Sequence, residues 1–174
     1  QRRAAVVIDN IGLVHYWRGE YAAALEEAQR AKADHVARKV RLQPGEEVVD
    51  IGSGFGGFLM HAAMHYGVRI TSINTTGSQA DHARRQIEKF GIKNAVQMHA
   101  DFRAGEQQFD KVVSIGCLEH AGRDGLVSLI RAHARALKPG GTFLMADIAG
   151  SSDLADNIDS PMGVFGYSVS YLHC

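Results

Sequence analysis

Asp50, Gly52, Ser53, Gly54, Gly56 and Gly57 fall in one short stretch that closes a run of β-branched residues, Val48, Val49 and Ile51. Glycines so placed remove side chains where the backbone must turn sharply and approach a ligand. The apolar run behind them, Phe58 to Tyr66, reads as a helix. Unpaired amides at such a helix start attract anionic or polar ligand groups, so the chemistry implied is the cradling of a nucleotide-like small molecule. Gly52, Gly54 and Gly57 also satisfy G-x-G-x-x-G, which would serve a dinucleotide enzyme equally well. His61 and His65 lie one helical turn apart, but no glutamate stands between them and no third ligand is evident, so no metal is assigned. Cys117 and Cys174 show no metal or redox spacing, and Cys117 is read as a buried thiol.

The elements that must position these residues alternate. Leu25 to Val40 is helical in spacing, with Leu25, Ala28, Ala31, Val36 and Val40 on one side and a solvated face of Arg30, Lys32, Arg38, Lys39 and Arg41. Gln43-Pro44-Gly45 ends it before the first strand. The helix after the glycine loop stops at Gly67, and Val68 to Asn74 is a second strand. Thr75 to Ser78 offers caps for a helix running to Phe90. Ala95 to His99 and Phe109 to Ile115 are further strands, a helix spans about Arg123 to Leu137, and Thr142 to Ile148 is the fifth strand. This order predicts an α/β fold, a Rossmann-like parallel sheet with helices on both faces and right-handed crossovers. Ligands in such sheets sit beyond the carboxyl ends of the strands, which here are the Gly52 loop, Asn74, Asp101, Glu119 and Asp147.

The 174 residues suit one domain: an N-terminal helical or lid segment over 1–45, a core over 46–148, and an incomplete C-terminal segment over 149–174. The aromatic cluster of His15, Tyr16, Trp17 and Tyr21 reads equally as packing or as a lid over a small-molecule site. Met162 to His173 reads as one helix rather than two strands. The C-terminal antiparallel hairpin would then be lacking, and the fifth strand would be an exposed apolar edge awaiting a further segment or a second copy of the chain. A net charge of zero implies no nucleic acid partner. No apolar run reaches membrane-span length, and the cysteine usage suits a cytoplasmic protein.

A dinucleotide enzyme would place a carboxylate at the end of the second strand to hold a ribose, and this chain has Asn74 there. The run VVDIGSGFGG, the pair Asp101-Phe102 after strand three, Asp110 opening strand four and Leu137-Lys138-Pro139-Gly140-Gly141 before strand five together resemble a class I S-adenosylmethionine-dependent methyltransferase. Within that superfamily, LEEAQRAK (25–32), RLQPGEEVVDIGSGFGG (41–57), HYGVRITSINTTGSQ (65–79) and SIGCLEHAG (114–122) are most similar to the cyclopropane fatty acid synthase and mycolic acid methyltransferase group.

The resemblance implies S-adenosylmethionine as cofactor. Gly52 and Gly54, with Ser53 between them, would lie against its methionine part, and Asp50 would fix the loop or reach the cofactor through water. Asn74, Thr75 and Gln79 would surround the ribose, while Asp101 and Phe102 would flank the adenine. Ser114 of the SIG stretch would join the cofactor site, and Tyr16 and Trp17 would close its methionine end. Glu119 and His120 would orient the acceptor or take its proton. The acceptor expected is a small molecule or a lipid-like chain. Simple methyl transfer is expected over cyclopropane formation, because Ala146 stands where the group has a histidine that helps hold a bicarbonate base, and the group's C-terminal contributor would fall past Cys174. A domain that binds the cofactor without turnover is the alternative from a different class.

Overall fold

In the computed structural model, residues 21–117, 122–149 and 166–173 are described. Helix α1 (Tyr21–Lys39) leads into β1 (Glu47–Ile51), α2 (Gly57–Tyr66), β2 (Arg69–Asn74), α3 (Gly77–Lys89), β3 (Ala95–His99), a 3-10 turn (Phe102–Ala104), β4 (Phe109–Ile115), α4 (Gly122–Arg135), β5 (Leu137–Ala149) and β6 (Gly166–His173). The sheet order is β3-β2-β1-β4-β5-β6. β1 to β5 run parallel, and β6 pairs antiparallel with β5. The chain winds outward from β1 to β3 and then returns to lay β4 on the other side of β1. The loops after β1 and β4 therefore part at that junction and leave a crevice above the carboxyl ends of the strands.

Both faces of the central strands are covered, as their nearly unbroken apolar runs require. One face carries Val48, Ile70, Val113 and Leu144 against Val36, Ala37 and Val40 of α1 and Leu59 and Ala62 of α2. The other carries Val49, Ile51, Val112 and Phe143. There the His133 ring of α4 lies 5.1 Å from Phe143 and 4.8 Å from Phe102. Leu25, expected on the apolar side of α1, is 62% exposed, and the helix buries Ala33 and Ala37 instead.

The LKPGG stretch departs from expectation. It lies within β5 and disturbs its pairing, which passes from Phe109↔Leu137 directly to Lys111↔Thr142. A Cβ at Gly141 would sit 2.8 Å from the Asp110 carbonyl oxygen and 2.7 Å from Leu137 Cδ1, so only glycine fits. Lys138 Nζ donates to Glu47 at 2.8 Å and to Asp110 at 3.0 Å, and Asp110 accepts the Glu47 amide at 2.8 Å. Asp110 and Lys138 thus tie together the amino ends of β1, β4 and β5.

The C-terminal expectation is also corrected. Residues 166–173 form a strand, in register from Thr142↔His173 to Ala149↔Gly166. β6 covers the edge of β5, so the fifth strand is not the exposed border that a helical tail would have left.

Candidate functional site

A cleft of about 580 Å³ opens between α1 and the loop that follows β1. Gly52 and Gly54 both have positive φ, +78° and +54°, but for different ends. A Cβ at Gly52 would meet Cys117 Sγ at 2.9 Å, so this glycine lets the segment after β4 pack on the loop. At Gly54 a Cβ would find no atom of a described residue within 4 Å, and among these residues that stretch of backbone is open.

Buried amides hold the loop in place. The Gly52 amide donates to the Ile73 carbonyl at 2.9 Å. Ser53 Oγ donates to Gln97 Oε1 at 3.2 Å, while Gln97 Nε2 donates to the carbonyls of Ser72 and Met98. Asn74 Nδ2 donates to the Gly54 carbonyl and to Gln79 Oε1, and its Oδ1 accepts the Thr76 amide. Asn74 is therefore occupied as a brace between the glycine loop and α3. Gln79 is held through its oxygen, and its amide nitrogen donates to no described residue.

Asp50, at the floor of the cleft, is fully buried and accepts from Ser72 Oγ at 3.1 Å. Burial pushes its carboxyl up to about 7, against the opposing pull of the Ser72 hydrogen bond and the Lys32 charge. Lys32 lines the same cleft from α1, and burial lowers its ammonium pKa. His61 of α2 also lines it, with Nε2 donating to Asp34 at 2.7 Å. Burial raises the Asp34 carboxyl, but hydrogen bonds from His61 and Tyr66 outweigh this and leave it below the usual carboxylate range.

The remaining expected residues are dispersed. Thr75 is exposed, and its carbonyl accepts from His99 Nε2 at 3.1 Å. Asp101 is exposed and clasped by Arg103, whose Nε lies 2.9 and 3.0 Å from the two carboxylate oxygens. Those hydrogen bonds hold its pKa down. Phe102 is half-buried on the α4 side. Ser114 is fully buried, in register with Ile51, with an Oγ that has no partner among the described residues, and the cleft is walled instead by Ile115 and Gly116 beyond it. Tyr16, Trp17, Glu119 and His120 lie outside the described residues. Lys32, Asp34 and Gln97 were not singled out from sequence; a lysine on a helix otherwise read as solvated and an amide within a strand give little signal until the fold brings them together.

Residues 15–160 match the family described as mycolic acid cyclopropane synthetase. The chain belongs to that family. Cyclopropane-fatty-acyl-phospholipid synthase of Escherichia coli (strain K12) is 35% identical over 144 residues, covering 83% of this chain and 36% of that protein. Among solved structures, the cyclopropane synthase MmaA2 from Mycobacterium tuberculosis superposes with a TM-score of 0.70 at 29% identity, covering 80% of this chain and 49% of that one. The mycolic acid cyclopropane synthase CmaA1 complexed with SAH and CTAB gives a TM-score of 0.70 at 27% identity, covering 79% and 48%. The described fold is thus the Rossmann-like fold of class I methyltransferases, and the chain spans about a third to a half of the length of these relatives.

Proposed function

We propose that this chain binds S-adenosylmethionine in the cleft between α1 and the glycine loop and transfers its methyl group to a lipid-like acceptor. The observation that carries the cofactor reading is Gly54: a backbone position open to a ligand, held by Asn74, beside a cleft with a carboxylate at its floor. Those features fit a nucleoside bearing an amino-acid tail. In this reading Gly52, Ser53 and Gly54 lie along the methionine part, and the free amide nitrogen of Gln79 meets a ribose hydroxyl. Asp101 accepts from the adenine amine while Phe102 packs beside the ring. Thr75 borders the ribose, and Tyr16 and Trp17 close the methionine end. Ser114 stands one residue behind the cleft wall and supports that wall through the sheet.

Bound S-adenosylmethionine supplies a methyl already activated by its sulfonium, so the chain has to align an acceptor and exclude water. Glu119 and His120 follow Cys117 in the sequence, and in this reading they orient the acceptor or take its proton. A lipid-like acceptor accords with the names of the relatives, and a cytoplasmic setting with the cysteine usage.

Ring closure to a cyclopropane is the second reading, favoured by the E. coli relative's name. Against it, Ala146 is a buried methyl in the apolar layer under α1 and α2, where it offers nothing to hold a bicarbonate base. The test uses cofactor with a fully deuterated methyl, offered with unsaturated phospholipid and with amine and hydroxyl acceptors. Simple transfer keeps every deuterium in the product, whereas ring closure loses one. Label in no product, despite cofactor binding, would leave a binding-only domain.

A further inference from the structure

A second concavity lies away from the cleft, on the outer side of α4. Leu129, Ala132 and His133 of that helix turn inward and are buried. Val127, Ser128, Arg131 and Arg135 are exposed, and together with Arg103 of the 3-10 turn they line a groove of about 440 Å³. Among the described residues the lining carries three guanidiniums and no carboxylate. Arg131 and Arg135 form no side-chain hydrogen bond or ion pair with a described residue. Arg103 gives Nε and Nη2 to Asp101, and its Nη1 donates to no described residue. Arg103 thus stands between Asp101 and the groove, with one edge of its fork left over.

This arrangement works against the helix that carries it. Like charges four residues apart on one helical face repel, and a third guanidinium brought in from another element adds to the strain. Arg135 has a reason of its own, since the last turn of a helix favours a cation. That reason does not reach Arg131, a turn earlier, nor Arg103 on another segment. The chain as a whole has no net charge, so the concentration of positive charge here is local rather than a share of a basic surface. An anion seated between the three would turn their repulsion into shared attraction.

We propose that this groove binds a phosphate group, held by the guanidiniums of Arg131 and Arg135 and by the outer edge of Arg103. The donor set selects phosphate over a carboxylate: planar forks on three sides match three or four oxygens spread in space, whereas a carboxylate offers two in one plane. Ser128 adds no donor, because its hydroxyl proton goes to the Gly125 carbonyl at 2.8 Å. Recognition therefore rests on the arginines. A free phosphorylated molecule and the headgroup of a phospholipid present the same chemistry to them.

The test is calorimetric titration with inorganic phosphate and with acetate at matched ionic strength, alongside flotation with vesicles of phosphatidylcholine with and without phosphatidic acid. The wild type is expected to bind phosphate saturably and acetate far more weakly, or to float only with the vesicles that carry phosphatidic acid. Capture of free phosphate assigns the groove to a soluble ligand, and capture by vesicles alone assigns it to a headgroup. Arg131→Gln combined with Arg135→Gln is expected to weaken that binding about tenfold or more, the usual effect of losing hydrogen bonds to a charged group. Arg85→Gln combined with Lys89→Gln removes an equally spaced, exposed pair of cations from α3 and should leave it unchanged. Equal losses in the two double variants would reduce the effect to general charge and overturn the proposal. So would a wild type that neither binds phosphate saturably nor floats with phosphatidic acid, a result that needs no variant to fold. No arm uses S-adenosylmethionine, so failure here leaves the cofactor reading standing.

Discussion

Asn74 donates from Nδ2 to the carbonyl oxygen of Gly54 at 3.0 Å, so the last residue of β2 fixes the loop that follows β1. The side chain is buried, and its other bonds run to Gln79 and Thr76. Asn74→Ala removes all of these bonds at a buried position and is expected to cost about 1 to 3 kcal/mol of stability. The same variant should bind S-adenosylhomocysteine less tightly. Denaturant titration and calorimetry check the two effects, and an unchanged midpoint with unchanged affinity would mean that the loop holds its own shape.

Gly54 tests the site more directly. Its φ of +54° disfavours any L side chain, and a branched one most. Among the described residues nothing stands where the side chain would go. Gly54→Val is therefore expected to keep its fold, at about 1 to 2 kcal/mol of backbone strain, and to lose cofactor binding. Circular dichroism with calorimetric titration separates the outcomes. Retained affinity would remove the basis of the cofactor reading.

Asp101, the residue proposed to meet the adenine, is already partnered. The Arg103 guanidinium spans both carboxylate oxygens, so an adenine amine must share an oxygen with it. Asp101→Ala is expected to weaken S-adenosylhomocysteine about tenfold or more. It should also abolish discrimination against S-inosylhomocysteine, which lacks the amine. Arg103→Ala, which frees the carboxylate, should bind the adenine ligand at least as well as the wild type. Equal discrimination in the Asp101→Ala protein would place the base elsewhere.

Asp50 sets a pH dependence of stability. Its folded pKa of about 7 exceeds the ordinary carboxylate value, so between roughly pH 4 and 7 the native state binds a proton that the unfolded chain has released. Stability from this group is present at the acid end of that window and is lost as pH rises through it. Asp34, Asp101 and Asp110, whose pKa values are lowered, contribute in the opposite sense, so the observable is the difference between wild type and Asp50→Asn. The melting temperature of Asp50→Asn should gain on the wild type as pH rises from 4 to 7 and hold its lead above that. Parallel curves would show Asp50 titrating normally.

The frame of the site was legible because its signals are local. The glycine loop, the strands on either side of it and Gly67 as a left-handed cap all declare themselves within a few residues, and the structure has them where they were expected. Residues that act across the sheet did not. Asn74 is a ribose candidate by its place at a strand end, yet its hydrogens are spent on Gly54 and Gln79, a fact that depends on two loops meeting. Lys32 looked like part of a solvated face because helical spacing says nothing about which side another element will cover. The C-terminal strand is a different kind of miss. Tyr167, Val169 and Tyr171 alternate with Ser168 and Ser170, a period of two, but the signal is diluted when the run is read from Met162 onward.

The Glu47, Asp110 and Lys138 cluster has a consequence for engineering. It sits at the opposite rim of the sheet from the cleft, separated along β1 by the span from Glu47 to Ile51, about 13 Å at the usual strand rise. Perturbations that far apart with no shared partner add almost independently. Reinforcement at the amino rim can therefore offset the destabilisation of successive substitutions in the cleft without altering what they do to the ligand, which makes this chain a scaffold in which specificity can be searched at constant robustness.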